Sequence, residues 1–286
     1  MDTTFYNQAS AAKLGWEPIW FGAMEFGEQL AEEIKGFQKK YDLKADGLCG
    51  PVTYRRIFTA RQALMELTLD KYNSKIEELE DGKRIICSGQ GVPINWEKVV
   101  NLMDNDSLAL PASCHEYSGH EVRKPTMIVT HWDAALSANS CYKILRNRGI
   151  SSHFVIDNDG TIYQMVDTQN AAWHAGIYKV NQTSIGIDFS NAYYTKYQKY
   201  YEKKGHGPRP VLTESQVHGT TLDAHLGYYP VQVEAYKALV KSLSDHYDIP
   251  LECPMESGEL ITTVHEPSAA AEFKGVVSHY HLTKRK

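Results

Sequence analysis

The feature that most constrains this chain is a set of short apolar segments after residue 126, each of which leads to a residue capable of chemistry. Segments 127–130, 184–187 and 276–278 lead to His131, Asp188 and His279. Short apolar runs bounded by turn residues are typical of buried strands. Segments with helical spacing lie among them, at 138–147 and 230–247. The sequence therefore predicts an α/β domain in which helices flank a mixed β-sheet.

The first 60 residues have a different pattern, which predicts a small all-α domain of three helices. Apolar residues recur at steps of three and four from Phe26 to Tyr41, so they share one helix face. The Asp46–Gly47 turn ends this helix, and Pro51 suits the first position of the next one. Two short helices bury little apolar surface, so we expect a third within residues 7–20.

The predicted division places the helical domain at 1–62, a connector at 63–104 and the α/β domain at 105–286. Within the connector, the charge-rich stretch 66–83 predicts a solvated helix that ends at Gly82. The two apolar runs of 84–94 predict a hairpin, and 96–103 predicts a short helix. Farther along, Asn158-Asp159-Gly160 predicts a hairpin turn between strands at 153–157 and 161–166.

Composition excludes several classes of protein. The chain of 286 residues has a net charge of −5, with 42% hydrophobic and 23% charged residues, as in ordinary globular proteins. This acidic balance argues against a nucleic-acid partner, and no apolar run approaches the ~18 residues of a membrane-inserted helix. No secretory signal is readable at the N-terminus, and five scattered cysteines without a CxxC motif fit reduced thiols in a cytosol.

Two histidines at the ends of two strands can converge on one metal ion, and zinc suits them because neutral imidazole is its common ligand. These are His131 and His279; His174 lies in a turn of small residues where its ring could face a substrate. Asp188 could act as a general base on an activated water. Each residue also has a plainer interpretation: a hydrogen-bonded core histidine, a packed turn residue, or a carboxylate in a cap or salt bridge. The spacing alone decides none of these.

Residues 126–286 resemble the zinc-dependent N-acetylmuramoyl-L-alanine amidases, which include bacterial and phage amidases and the related peptidoglycan-recognition proteins. The matching segments occur in family order: IVTHW at 128–132, ISSHFVI at 150–156, DGTIYQ at 159–164, AWHAG at 172–176, NQTSIGID at 181–188 and VSH at 277–279. Residues 25–58 resemble a type-1 peptidoglycan-binding module, through IKGFQKKY at 34–41 and LKADGLCGPVTY at 43–54.

The resemblance implies a hydrolase that uses a Zn²⁺-activated water to cut the amide bond between N-acetylmuramic acid and L-alanine. It implies that the zinc ligands include His131 and His279. Asp188 falls where many members carry a catalytic glutamate, although aspartate is one methylene shorter. The implied catalytic lysine, which stabilises the oxyanion, is best matched by Lys286. The substrate-binding positions fall on three aromatic side chains: Trp132, Trp173 and His174.

The third zinc ligand has no counterpart in the sequence. In the family it is an aspartate or cysteine two positions after the lysine, which would place it beyond Lys286. Three explanations are open: the sequence is part of a longer protein, another residue such as His281 or a distant cysteine substitutes, or the metal site is incomplete. Along a strand, His279 and His281 would point to opposite faces, which argues against both binding one ion.

The resemblance implies a bacteriolytic, wall-degrading enzyme whose partner is cell-wall peptidoglycan and whose N-terminal module holds it there. The missing signal peptide favours an endolysin of phage type. With no readable leader, we expect the protein in the host cytoplasm before release to the wall, or in the virion. A non-catalytic peptidoglycan-binding protein is the competing interpretation, and a different zinc hydrolase on the same scaffold is a third. The oligomeric state and the host are left undecided.

Overall fold

The computed structural model describes residues 2–65, 83–116 and 123–284. The helices are α1 Thr3–Leu14, α2 Glu28–Lys40, α3 Pro51–Met65, α4 Ala138–Arg148, α5 Tyr178–Thr183, α6 Gln198–Lys203, α7 Pro230–Tyr247 and α8 Glu266–Ala269. Short 3-10 helices lie at Pro18–Phe21, Ala112–Cys114, Thr195–Tyr197 and His279–His281.

The strands, most of them short, are β1 Arg84–Cys87, β2 Gln90–Pro93, β3 Val99–Val100, β4 His115–Glu116, β5 Met127–Trp132, β6 Phe154–Ile156, β7 Ile162–Gln164, β8 Ala171–Ala172, β9 Ser184–Phe189, β10 Val211–Leu212, β11 Gln216–Val217, β12 Thr220–Thr221, β13 His225–Leu226, β14 Met255–Glu256, β15 Glu259–Leu260 and β16 Gly275–Ser278.

Helices α1, α2 and α3 form the N-terminal module around an apolar cluster that includes Leu30, Ile34 and Ile57. The helix predicted within 7–20 begins earlier, at Thr3, where the Asp2 side chain caps it. It ends at Leu14, because Gly15 adopts a left-handed conformation that stops the helix. The chain then forms the 3-10 helix that starts at Pro18.

One six-stranded sheet organises the rest of the chain, in the order β16-β5-β9-β6-β7-β3. All neighbouring pairs in it are parallel except β6 and β7, which form the antiparallel hairpin predicted from Asn158-Asp159-Gly160. Helix α7 covers one face of the sheet, where Leu239 and Leu243 pack with Ile128 and Ile185. The other face packs against α4 and α5. The predicted fold class, a mixed sheet flanked by helices, is confirmed.

Part of the stretch predicted as a connector packs on this sheet. The hairpin predicted over 84–94 is confirmed as β1 and β2, and Ile85 and Val99 lie in the same apolar cluster as the sheet. The short helix predicted at 96–103 is wrong. Val99 and Val100 instead form β3, because these β-branched residues pair in parallel with Ile162 and Tyr163 at the sheet edge. The helix predicted at 66–83 falls almost entirely outside the described residues.

None of the helices in the described part of the chain is both long and apolar enough to cross a bilayer. All five cysteines are free thiols, of which Cys253 is exposed and the other four are buried. Burial raises the pKa of the Cys87 thiol to about 12, so this side chain is uncharged at neutral pH.

Candidate active site

Three of the predicted site residues lie at the carboxyl ends of three neighbouring parallel strands. His131 on β5 is in register with Asp188 on β9, and His279 directly follows β16, whose Ser278 pairs with Thr130. All three side chains are buried at this edge of the sheet. Parallel pairing therefore brings together residues that are separated by up to 148 positions in the sequence.

His131 lies between two other histidines. Its Nδ1 is 3.1 Å from Nδ1 of His279, and its Nε2 is 2.9 Å from Nδ1 of His174. Each of these contacts needs one protonated and one unprotonated ring nitrogen, unless a cation takes the place of the proton. The protonation of His131 is consequently tied to that of both neighbours.

A chain of hydrogen bonds that starts at Ser184 assigns the protons in this cluster. The Ser184 hydroxyl donates to the Val180 carbonyl at 2.6 Å, so its oxygen accepts from Nε2 of His174 at 3.1 Å. A neutral His174 then has an unprotonated Nδ1, which accepts from Nε2–H of His131. We infer that the unprotonated nitrogen of a neutral His131 is Nδ1, the atom that faces His279.

This arrangement fits two ligands of a zinc ion. Two nitrogens at about 2.0–2.1 Å from one tetrahedral zinc lie about 3.3 Å apart, close to the 3.1 Å between the Nδ1 atoms of His131 and His279. Histidine ligands of metals also donate their other N–H to an acceptor, as His131 does to His174. Within residues 2–65, 83–116 and 123–284, no group of three histidine, cysteine or acidic side chains could hold a metal ion. Lys286 lies outside these ranges.

The AWHAG turn, which carries Trp173 and His174, is fixed by buried polar contacts. The Trp173 amide donates to Ser151 Oγ at 2.9 Å, and the Ala175 amide donates to Asn181 Oδ1 at 2.9 Å. The buried Arg123 guanidinium donates to backbone carbonyls on both sides of the turn, namely those of Thr168, Asn181, Gln182 and Ser184. These hydrogen bonds hold the turn in place. The His174 side chain is only 8% exposed.

A small cleft of about 70 Å³ opens beside these residues. Its lining includes five of the predicted site residues: His131, Trp132, Trp173, His174 and Asp188. Trp132 is 36% exposed and stacks on Tyr193, with ring centroids 5.5 Å apart and planes at 9°. This ring therefore lies at the rim of the cleft.

The cleft is also lined by three ionisable residues that the sequence analysis did not single out: Asp133, Cys141 and Arg148. Burial, together with the neighbouring Asp188 carboxylate, raises the pKa of Asp133 to about 8. Asp133 is consequently mostly protonated at neutral pH. The position of Asp133, just past the end of β5, was a signal that could have identified it. For Arg148, in the last turn of α4, the sequence offers no such signal.

His281 is engaged away from the cleft. Its Nε2 donates to the Ile261 carbonyl at 2.6 Å, and its Nδ1 accepts from the Ser278 amide at 3.0 Å. The predicted reason for its separation from His279, alternation along a strand, is wrong. Strand β16 ends at Ser278, and the two histidines lie in a 3-10 helix instead.

Gly186 of β9 leads to a prediction about packing behind the cleft. Its amide donates to Nδ1 of the buried, uncharged His153 at 3.0 Å, and a Cβ there would lie 2.7 Å from Cγ of His174. We expect Gly186→Ala to displace the His174 ring and to lower the free energy of unfolding by about 1–3 kcal/mol. Urea unfolding measures this change.

The matched control is Gly36→Ala, at an exposed position in α2 where a Cβ meets nothing within 4 Å. Because alanine has a higher helix propensity than glycine, we expect the free energy of unfolding of this variant to rise by about 0.5–1 kcal/mol. A Gly186→Ala protein as stable as wild type would contradict the close packing of His174 on β9.

Comparisons with known proteins bear on this site. The family model for N-acetylmuramoyl-L-alanine amidase matches residues 121–285, and that for a putative peptidoglycan binding domain matches residues 13–57. A comparison with curated proteins finds no match.

Several solved structures are similar in part. The endolysin LysCS from Clostridium intestinale is 18% identical, with 71% of this chain and 86% of that chain covered and a TM-score of 0.36. A mutant endolysin from Bacillus subtilis is 17% identical, with 66% and 88% covered and a TM-score of 0.37. For AmiD from E. coli, in complex with a muramoyl peptide, the identity is 24% and the TM-score 0.32. The match covers 46% of this chain and about half, 48%, of the AmiD chain.

The amidase model alone spans more than half of the chain, and its match includes every described residue of the histidine cluster and the cleft. The chain therefore belongs to the N-acetylmuramoyl-L-alanine amidase family and carries a peptidoglycan-binding domain ahead of its amidase domain.

Proposed function

We propose that this protein hydrolyses the amide bond between N-acetylmuramic acid and the L-alanine of the stem peptide in peptidoglycan, with zinc as cofactor. The observation that carries the proposal is the alignment of His131, His279 and Asp188 at the ends of three adjacent strands, beside an open cleft. Two imidazoles that fit a metal ion, with a carboxylate next to them, are the groups that hydrolysis of an amide needs.

The side chains have separate roles in this proposal. His131 and His279 would hold the zinc ion, which supplies a Lewis acid and makes water a stronger nucleophile at neutral pH. Asp188 accepts a proton from the attacking water and returns it to the leaving amine of L-alanine. His174 and Ser184 orient the His131 ring through their hydrogen bonds. Trp132 and Trp173 contact the substrate in the cleft, and Lys286 stabilises the oxyanion.

The N-terminal module would hold the enzyme on its insoluble substrate and so raise the local concentration of bonds to be cut. An enzyme that combines wall binding with amide hydrolysis is suited to breaking down a cell wall, and we propose the role of a phage-type endolysin. Sustained loss of turbidity when the protein is added to bacterial cells tests this role separately from the chemistry.

A non-catalytic peptidoglycan-binding protein is the second candidate function. It is favoured by one observation: among the described residues, no group of three histidine, cysteine or acidic side chains could hold a metal ion. Such a protein would bind peptidoglycan through the N-terminal module and the cleft and would leave the amide bond intact.

The experiment that separates the two functions uses purified peptidoglycan and the full chain, with and without a zinc chelator. The amidase predicts new L-alanine amino groups without new reducing sugar ends, loss of this release with chelator, and its return when zinc is added. Firm wall binding with no release of amino groups under any condition would support the binder. New reducing ends would point to a glycosidase and contradict both candidates.

A further inference from the structure

Helix α3 of the N-terminal module packs directly on the amidase domain. Arg56 Nη1 donates to the Ala112 carbonyl at 2.7 Å, and Phe58 meets Tyr178 edge-on with ring centroids 6.4 Å apart. Gly149, at the end of α4, lies so close to α3 that a Cβ there would be 2.9 Å from Val52 Cγ1. The two domains therefore share a packed interface, which a freely tethered anchor would not have.

Arg55 reaches from this helix to the wall of the cleft. Its guanidinium carbon lies 4.7 Å from the ring centroid of Trp173, and its Nη2 donates to the Gly149 carbonyl at 3.2 Å. Trp173 lines the cleft, is 5% exposed and directly precedes His174. One side chain of the binding module thus contacts both the AWHAG turn and the segment after α4.

We propose that Arg55 is a positioning residue for the amidase site, through which the N-terminal module sets the rate of hydrolysis as well as attachment to the wall. The path of contacts is short: Arg55 covers Trp173, and the next residue, His174, is hydrogen-bonded to His131. If the Trp173 ring moves, the neighbouring His174 moves with it, and His174 Nδ1 is the acceptor that orients the His131 ring. This proposal rests on the proposed amidase function.

An arginine suits this position better than a lysine does. The flat guanidinium stacks on an indole face while one of its N–H groups still reaches a carbonyl, whereas an ammonium group is a point charge on a flexible stem. Arg55 is also next to Arg56, which binds the Ala112 carbonyl and lies over the Tyr41 ring, 4.2 Å from its centroid. Arg56 is not among the residues that line the cleft, and Trp173, the ring that Arg55 covers, is one of them. The pair provides a variant and its control on a single helix.

The test compares Arg55→Ala, Arg55→Lys and Arg56→Ala in the full chain, with a soluble muramoyl peptide as substrate so that wall attachment does not contribute. Because small displacements at a catalytic site lower the rate strongly, we expect Arg55→Ala to reduce kcat about tenfold. KM should change less than kcat, by the amount that the displaced Trp173 ring contributes to substrate binding. Arg55→Lys should recover part of this loss, and Arg56→Ala should stay within about twofold of wild type. Co-sedimentation with peptidoglycan should be the same for all.

A second measurement, hydrogen exchange, reports on the AWHAG turn without requiring catalytic activity. Hydrogen exchange of the amides of residues 171–176 should be faster in Arg55→Ala than in wild type or Arg56→Ala. A kcat and an exchange rate that are unchanged in Arg55→Ala would overturn the proposal, and so would equal losses in the Arg55 and Arg56 variants, which would indicate docking alone. If wild type cleaves nothing, the proposed function fails, while the exchange comparison still decides whether Arg55 positions the turn.

Discussion

Substitution of His131 by alanine is expected to abolish zinc binding and to lower the rate of amide hydrolysis at least about a thousandfold, equivalent to about 4 kcal/mol of transition-state stabilisation. His131 is the central member of the cluster, since its two ring nitrogens face His279 and His174. Its removal deletes one of the two proposed metal ligands and also the hydrogen-bond partner of His174. Zinc content after dialysis and the release of L-alanine amino groups measure the two effects.

The control for this variant is His246→Ala, on the exposed side of α7 and outside the cleft. It should keep both zinc and activity. Binding to peptidoglycan should persist in His131→Ala, because the N-terminal module has its own apolar core. A His131→Ala protein that retains zinc would show that the metal is held elsewhere, and loss of wall binding would contradict the separation of functions between the two domains.

The central part of the site could be predicted from the sequence, because its residues lie at the ends of strands. A short apolar run shows where a strand stops, and parallel strands share one carboxyl edge, so His131, Asp188 and His279 could be expected to meet. Their register, with His131 opposite Asp188, follows from pairing that the sequence does not specify.

Other parts of the site depend on contacts between distant segments. Arg55 binds the carbonyl of Gly149, 94 positions away, and nothing near Arg55 in the sequence indicates this partner. The relay from Ser184 to His131 likewise requires the exact approach of the AWHAG turn to β9, which only the packed structure provides. The local pattern around Val99 also gave a wrong prediction, a helix. Pairing of β3 with β7 outweighs the helical pattern of this short segment.

The carboxylate of Asp188 provides the second large prediction. We expect Asp188→Asn to lower kcat by about 10²–10⁴-fold, since the amide cannot accept and return a proton, while zinc binding by His131 and His279 persists. The substitution is nearly isosteric, so the thermal midpoint should change little. Asp188→Glu provides the sharper comparison. Glutamate is the residue that the family resemblance implies at this position, and it restores the carboxylate on a side chain longer by one methylene. Asp188→Glu should therefore retain far more activity than Asp188→Asn.

A rate in Asp188→Asn within about tenfold of wild type would exclude Asp188 as the proton carrier and would direct attention to Asp133, the other carboxyl group in the cleft.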